Sequence, residues 1–136
     1  MMNTIFKKPF LKELFFSSVV VAGLHVLALS YHLYWTIDWY DIPMHFLGGF
    51  TIGLMAVFIF FTSGYINAIS YFKNHKIIVF LLTVGFTMII GLAWEVWELF
   101  FHFTDVFTDK LDTIADLVMD FLGSVCAFLY VNKRIK

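Results

Sequence analysis

The residues in this chain that could do chemistry are acids and histidines placed three or four apart. Asp41 and His45 are four apart. Glu95, Glu98 and His102 are spaced by three and four, and Asp112, Asp116 and Asp120 follow at i, i+4, i+8. On a helix each set shares one face. His45, Glu95, Glu98 and Asp116 together offer one imidazole and three carboxylates. Such a mixed nitrogen and oxygen set suits Zn, Mn or Fe, whereas an all-oxygen set would suit Mg or Ca. A divalent metal ion held there could activate water or polarise a phosphoryl group. Glu95, Glu98 and Asp116 are therefore the candidate catalytic residues. His45, Glu95, Glu98 and Asp116 are the candidate metal ligands, and Asp41, His45, Asp112 and Asp120 the candidate ligand-binding groups. Without a metal, Glu95 or Glu98 could serve as general acid or base. The HExxH signature of zinc hydrolases is absent.

The elements that carry these groups must lie in a membrane. The chain has 136 residues, of which 61% are hydrophobic, 21% aromatic and only 14% charged. A soluble domain carries about a quarter charged residues. This composition excludes a soluble globular domain, a disordered chain and a nucleic-acid binder, and the net charge of −1 gives no basic field. The single cysteine, Cys126, can form no internal disulfide and is expected to pack as a small residue.

Four stretches approach the roughly 20 apolar residues that a spanning helix needs. They cover about 14–35, 43–62, 77–101 and 113–131, and no strand alternation is sustained. The expected fold is all-α, a polytopic bundle of four transmembrane helices forming one membrane domain over 1–136. Pro43 suits the first turn of the second helix, and Thr113 with Asp116 reads as a capping box opening the fourth. A short interfacial helix is expected near 66–72. The basic start faintly resembles a signal peptide, but the apolar run continues to Trp35, so the first span is expected to stay.

Charge sets the orientation. Eight of nine basic residues (Lys7, Lys8, Lys12, Lys73, Lys76, Lys133, Arg134 and Lys136) fall on one side, with only Lys110 on the other. Nine of ten acids lie on the Lys110 side or in that half of the bilayer. The positive-inside rule then puts both termini in the cytoplasm, N-in and C-in, in the inner (plasma) membrane. Trp35, Trp39 and Trp97 fit an outer aromatic belt, and His32 an interfacial anchor. His25 reads as a packed, hydrogen-bonded histidine.

Depth separates the remarkable from the ordinary among the acids. Asp120 lies about 12 Å below Asp112, and Glu95 about 9 Å below Phe101. A charged side chain at the centre of a spanning helix costs about 2.5–3.5 kcal/mol. Asp112, Thr113 and Asp116 could simply cap a helix, whereas Glu95, Glu98 and Asp120 are too deep for loops and wrongly placed for caps. Either some carboxyls are protonated, or a cation neutralises them, or they line a wet cleft.

The motifs resemble a known family. Tyr40-Asp41-Ile42-Pro43-Met44-His45-Phe46, followed by Gly49-Phe50, resembles a helix opening in the YjdF-type bacterial inner-membrane proteins. Glu95-Val96-Trp97-Glu98 resembles that family's glutamate pair. Asp112-Thr113-Ile114-Ala115-Asp116-Leu117, with the later Gly123, resembles its third motif. The order of motifs is more distantly similar to the VanZ-like family of four-span proteins, which is associated with resistance to the glycopeptide teicoplanin. The resemblance covers about 40–127. It implies a cell-envelope membrane protein and these site residues, and it brings no reaction with it.

Three functions follow from the residues. The first is metal-assisted chemistry on a lipid or envelope precursor at the outer leaflet. The second is a non-catalytic module that binds or transports a cation, a proton or a cationic head group. The third is a small structural or regulatory subunit whose acids specify the bundle. The inner halves of the spans contain almost no polar group beyond Thr83, which argues against a continuous transport path. Membrane lipids are the expected partners. The steps Gly49/Gly53 and Gly123/Ala127 would serve either packing within one bundle or a homo-oligomer.

Overall fold

The computed structural model describes residues 4–37, 39–62, 68–101 and 110–135. They form α1 (Thr4–Ser30), a short α2 (Leu33–Thr36), α3 (Asp41–Val57) continued by a widened turn over Phe58–Thr62, α4 (Ala68–Asn74), α5 (Lys76–Phe100) and α6 (Lys110–Ile135). No strand occurs among the described residues. Four helical stretches are long and apolar enough to cross a membrane: Phe10–Ser30, Asp41–Phe61, Lys76–Phe100 and Leu111–Arg134. The all-α four-span architecture expected from composition is the one observed. Large apolar side chains such as Phe15, Ile77, Ile89 and Phe100 point outward, as a lipid-facing surface requires.

The span ends differ from the sequence reading in three places. The first span stops at Ser30 instead of continuing to residue 35. His32 adopts a left-handed backbone, with φ at 57°, a conformation that breaks a right-handed helix. The turn redirects Tyr34 and Trp35 into α2. The expected capping box does not form, because α6 already runs from Lys110. Thr113 and Asp116 therefore sit inside the helix, where their side chains are free to face its neighbours. The expected interfacial helix is α4, but its Phe72 is buried instead of lying flat at a surface. Ile66, at the start of that expectation, lies outside the described residues.

Pro43 fits as expected. It falls in the first turn of α3, where a backbone N–H has no partner within the helix.

The bundle is organised around α3 and α6, which pack against each other most extensively, with α5 against both. The seam depends on close backbone approach. A Cβ at Gly49 would lie 2.6 Å from the Asp120 Cα, and one at Gly123 would lie 2.6 Å from the Phe50 N. Gly53 faces Ala127 and Ser124 one turn further along. Both small-residue steps thus make close contacts within the chain. In lipid, where helix association rests on packing, small residues of this kind set how closely helices meet.

The buried face of α5 repeats every four residues: Val79, Thr83, Thr87, Gly91 and Glu95. At one end of the bundle an apolar core gathers Leu54, Val57, Phe61, Phe72, Val79, Phe128 and Val131. Glu13 of α1 is ion-paired with Arg134 of α6 at this end, which Lys73, Lys76 and Lys133 also flank in sequence. The opposite end is acidic. The first span is peripheral: most of it is exposed, and it packs mainly against α3. Cys126 is exposed on the outer face of α6, contrary to the expectation that it packs inside.

Candidate metal centre

His45 lies one turn into α3, on the face that meets α6. The helix opening at Asp41 places the Asp41 carboxylate one turn before it on that face. Asp116 and Asp120 stand one turn apart on the facing side of α6. The imidazole therefore has carboxylates on both sides. Nε2 is 3.7 Å from Asp41 Oδ1 and 4.0 Å from Asp116 Oδ2, and Nδ1 is 3.5 Å from Asp120 Oδ1. The relative exposures are 8% for His45, 2% for Asp116, 4% for Asp120 and 4% for Glu95. These polar groups are withdrawn from lipid, as spanning helices require.

One ligand atom from each of Asp41, His45 and Asp116 falls within 4.8 Å of the others. Nitrogen and oxygen ligands sit about 2.0–2.2 Å from a zinc ion, so two ligands of one ion lie about 3–4.4 Å apart. The 3.7 and 4.0 Å separations meet that condition. Asp120 takes the other ring nitrogen. A carboxylate on the far nitrogen of a metal-bound histidine fixes the tautomer and the ring plane, and Asp120 is placed for that task. Gly91 of α5 makes the room: a Cβ there would collide with the Asp120 carboxylate.

Glu95 closes the site from α5. The Thr113 side chain of α6 stands against it. Among the described residues Glu95 Oε1 has no hydrogen-bond partner, and neither does Asp116 Oδ1. A buried carboxylate oxygen without a partner is costly and calls for a proton or a cation.

The structure sorts the sequence candidates. Asp41, His45, Asp116 and Asp120 come together, with Glu95 beside them. Glu98, expected among the metal ligands, is not in the three-residue group. It is half-buried and accepts a hydrogen bond from Trp94 Nε1 at 2.8 Å. A three-residue step turns a helix by about 300°, so Glu98 is rotated away from the face that buries Glu95. Asp112 is exposed, since residues at i and i+8 differ by about 80° around a helix. His102 lies outside the described residues.

Sequence reasoning treated Asp41 as a general ligand-binding group, whereas the structure puts it among the three residues with metal-ligand spacing. It missed Thr113 as the partner of Glu95, having read that residue as a cap. Gly91, the small residue that admits Asp120, stands one turn before Glu95 on the same stripe.

Around the acidic end, His25 of α1 shares a hydrogen bond with the Tyr34 hydroxyl at 2.8 Å and meets the edge of Trp94. The hydrogen-bonded histidine expected at position 25 is thereby observed. Tyr40 donates to the Leu24 carbonyl oxygen at 3.2 Å, tying the connection between α2 and α3 back to α1. Trp35, Trp39 and Trp97 are exposed, as belt residues should be. His32 is exposed with its ring near Trp35.

The family described as "Predicted membrane protein (DUF2238)" matches the chain over residues 1–136. No curated protein and no solved structure matches it.

Proposed function

The chain belongs to the DUF2238 family of membrane proteins, the YjdF-type family that its motifs resemble, and on that premise we propose that it holds a divalent metal ion at Asp41, His45 and Asp116. The observation that carries this reading is the pair of orphaned buried oxygens, Asp116 Oδ1 and Glu95 Oε1, beside an imidazole with carboxylates on both its nitrogens. A bound ion would supply a Lewis acid and an activated water. Glu95, on a separate helix and off the ligand triad, would take up or return a proton. Asp120 would hold the His45 ring in place. The reaction class that suits this set is metal-assisted hydrolysis or transfer on a lipid or envelope precursor. The site would face outward in the cell membrane, with both termini of this single domain in the cytoplasm. A relation to the VanZ-like family would extend that envelope role.

A second reading has its own support. The same ion-pair distances also suit a His45 imidazolium held by three aspartates, with no metal. The protein would then bind a proton or a cationic head group without chemistry.

Elemental analysis of the detergent-purified protein separates the two. The metal reading expects about one equivalent of a divalent ion in the wild type. It expects the same in Glu98→Gln and loss in Asp116→Asn, with both variants monodisperse. A metal-free wild type that also takes up no added Mn(II) sinks the metal reading in favour of the imidazolium. Equal metal in wild type and Asp116→Asn would move the ligands elsewhere.

A further inference from the structure

The basic end carries a feature unconnected with His45. A crevice of about 610 Å³ lies between α1, α3 and α6. Val20 of α1 and Leu47 and Leu54 of α3 are among its apolar walls, and Lys12 and Glu13 line its basic end. Along α1 the lining runs from Lys12 to Val21, a rise of about 14 Å. One leaflet of a bilayer has a hydrocarbon depth of about 15 Å. The crevice therefore has the length and polarity of one acyl chain lying along the membrane normal.

Charge selects the head group. Glu13 is ion-paired with Arg134, which also lies over the Tyr130 ring, so its negative charge is already matched. Lys12 is exposed and remains as a positive charge at the mouth. An anionic phosphate complements it, and a basic residue next to an anionic leaflet gains from that contact. We propose that the crevice binds one acyl chain of an anionic phospholipid, with Lys12 at the phosphate.

Native mass spectrometry of the full chain tests this, after incubation with equimolar phosphatidylglycerol and phosphatidylcholine in detergent. The wild type is expected to retain one phosphatidylglycerol per chain, with about a fivefold preference over phosphatidylcholine, as for about one lysine at an anionic surface. Lys12→Glu should remove the preference while lipid is still retained. Val20→Trp, which fills the crevice, should remove retention of both lipids. A thermal melt of each variant identifies any that fails to fold, and Ser17→Phe, on the same lining, then replaces Val20→Trp. Equal retention of the two lipids by the wild type overturns the proposal, as does retention untouched by the crevice-filling variants. A dimer that dissociates when the crevice is filled would assign the groove to a second copy and also overturns it.

Discussion

The two ends of the α3–α6 seam are built on the same close-packed small residues and hold opposite chemistry. At the acidic end the seam brackets His45, Asp116 and Asp120. Two to three turns away it brackets Leu54, Val57, Phe128 and Val131. The apolar end is held by aromatic packing. Phe72 stacks on Phe128 with ring centroids 5.6 Å apart, and Phe80 meets Phe128 edge-on at 5.3 Å. Such packing is directional. The acidic end leaves two buried carboxylate oxygens without hydrogen-bond partners among the described residues. The seam thus joins an aromatic anchor at one end to a buried acidic cluster at the other.

That comparison can be broken most directly at its polar member. His45→Leu removes the one positive-capable group among three aspartates. Breaking a buried ionic cluster this way costs about 3–5 kcal/mol, so a large loss of thermal stability in detergent is expected. A fall of less than about 1 kcal/mol would mean that the aspartates are satisfied without the imidazole, and the contrast between the ends would lapse.

Phe72→Ala should cost about 3 kcal/mol through the cavity it leaves. Under the proposed metal reading its metal content should stay at the wild-type value, because the aromatic end does not touch the His45 cluster. Metal lost together with the aromatic core would show the two ends to be one cooperative unit.

Gly123→Val tests the seam they share. The added side chain would strike the Phe46 and Phe50 backbone, and overpacking of this sort costs about 1–3 kcal/mol. Both the melting temperature and metal retention should fall, since α6 must move off α3 along its length. Metal retention unchanged beside a lowered melt would show that the centre does not need the close approach.

The smallest effect is expected at Arg134→Gln. Its pair with Glu13 is partly exposed, and exposed pairs contribute about 0.2–1 kcal/mol. The melt should hardly change. A drop as large as that of Phe72→Ala would mean that α1 depends on this pair to stay docked.

Much of the molecule was legible in the sequence. Apolar runs near 20 residues admit only spanning helices, because backbone polar groups in lipid must be satisfied within the segment. Hence four spans could be counted, and the basic and acidic ends told apart, from residue types alone. The candidate site was half legible. Spacing by four located the pairs Asp41/His45 and Asp116/Asp120, because that spacing fixes a shared helix face. Spacing by three misled at Glu98, where a rotation of about 60° was enough to exchange the buried face for the rim.

What the tertiary structure alone decided was which helix faces which. Sequence periodicity gives each helix a polar stripe but not the rotation of one helix against another. The close contacts of Gly49 with Asp120 and of Gly123 with Phe50 fix that rotation for α3 and α6. Through it His45 is set between Asp116 and Asp120, and Thr113 leaves a capping role for Glu95. Local pattern dictated the helices and their depth, because lipid penalises every exposed polar group. The buried His/Asp cluster arose from backbone contacts between residues more than seventy positions apart, which no local pattern encodes.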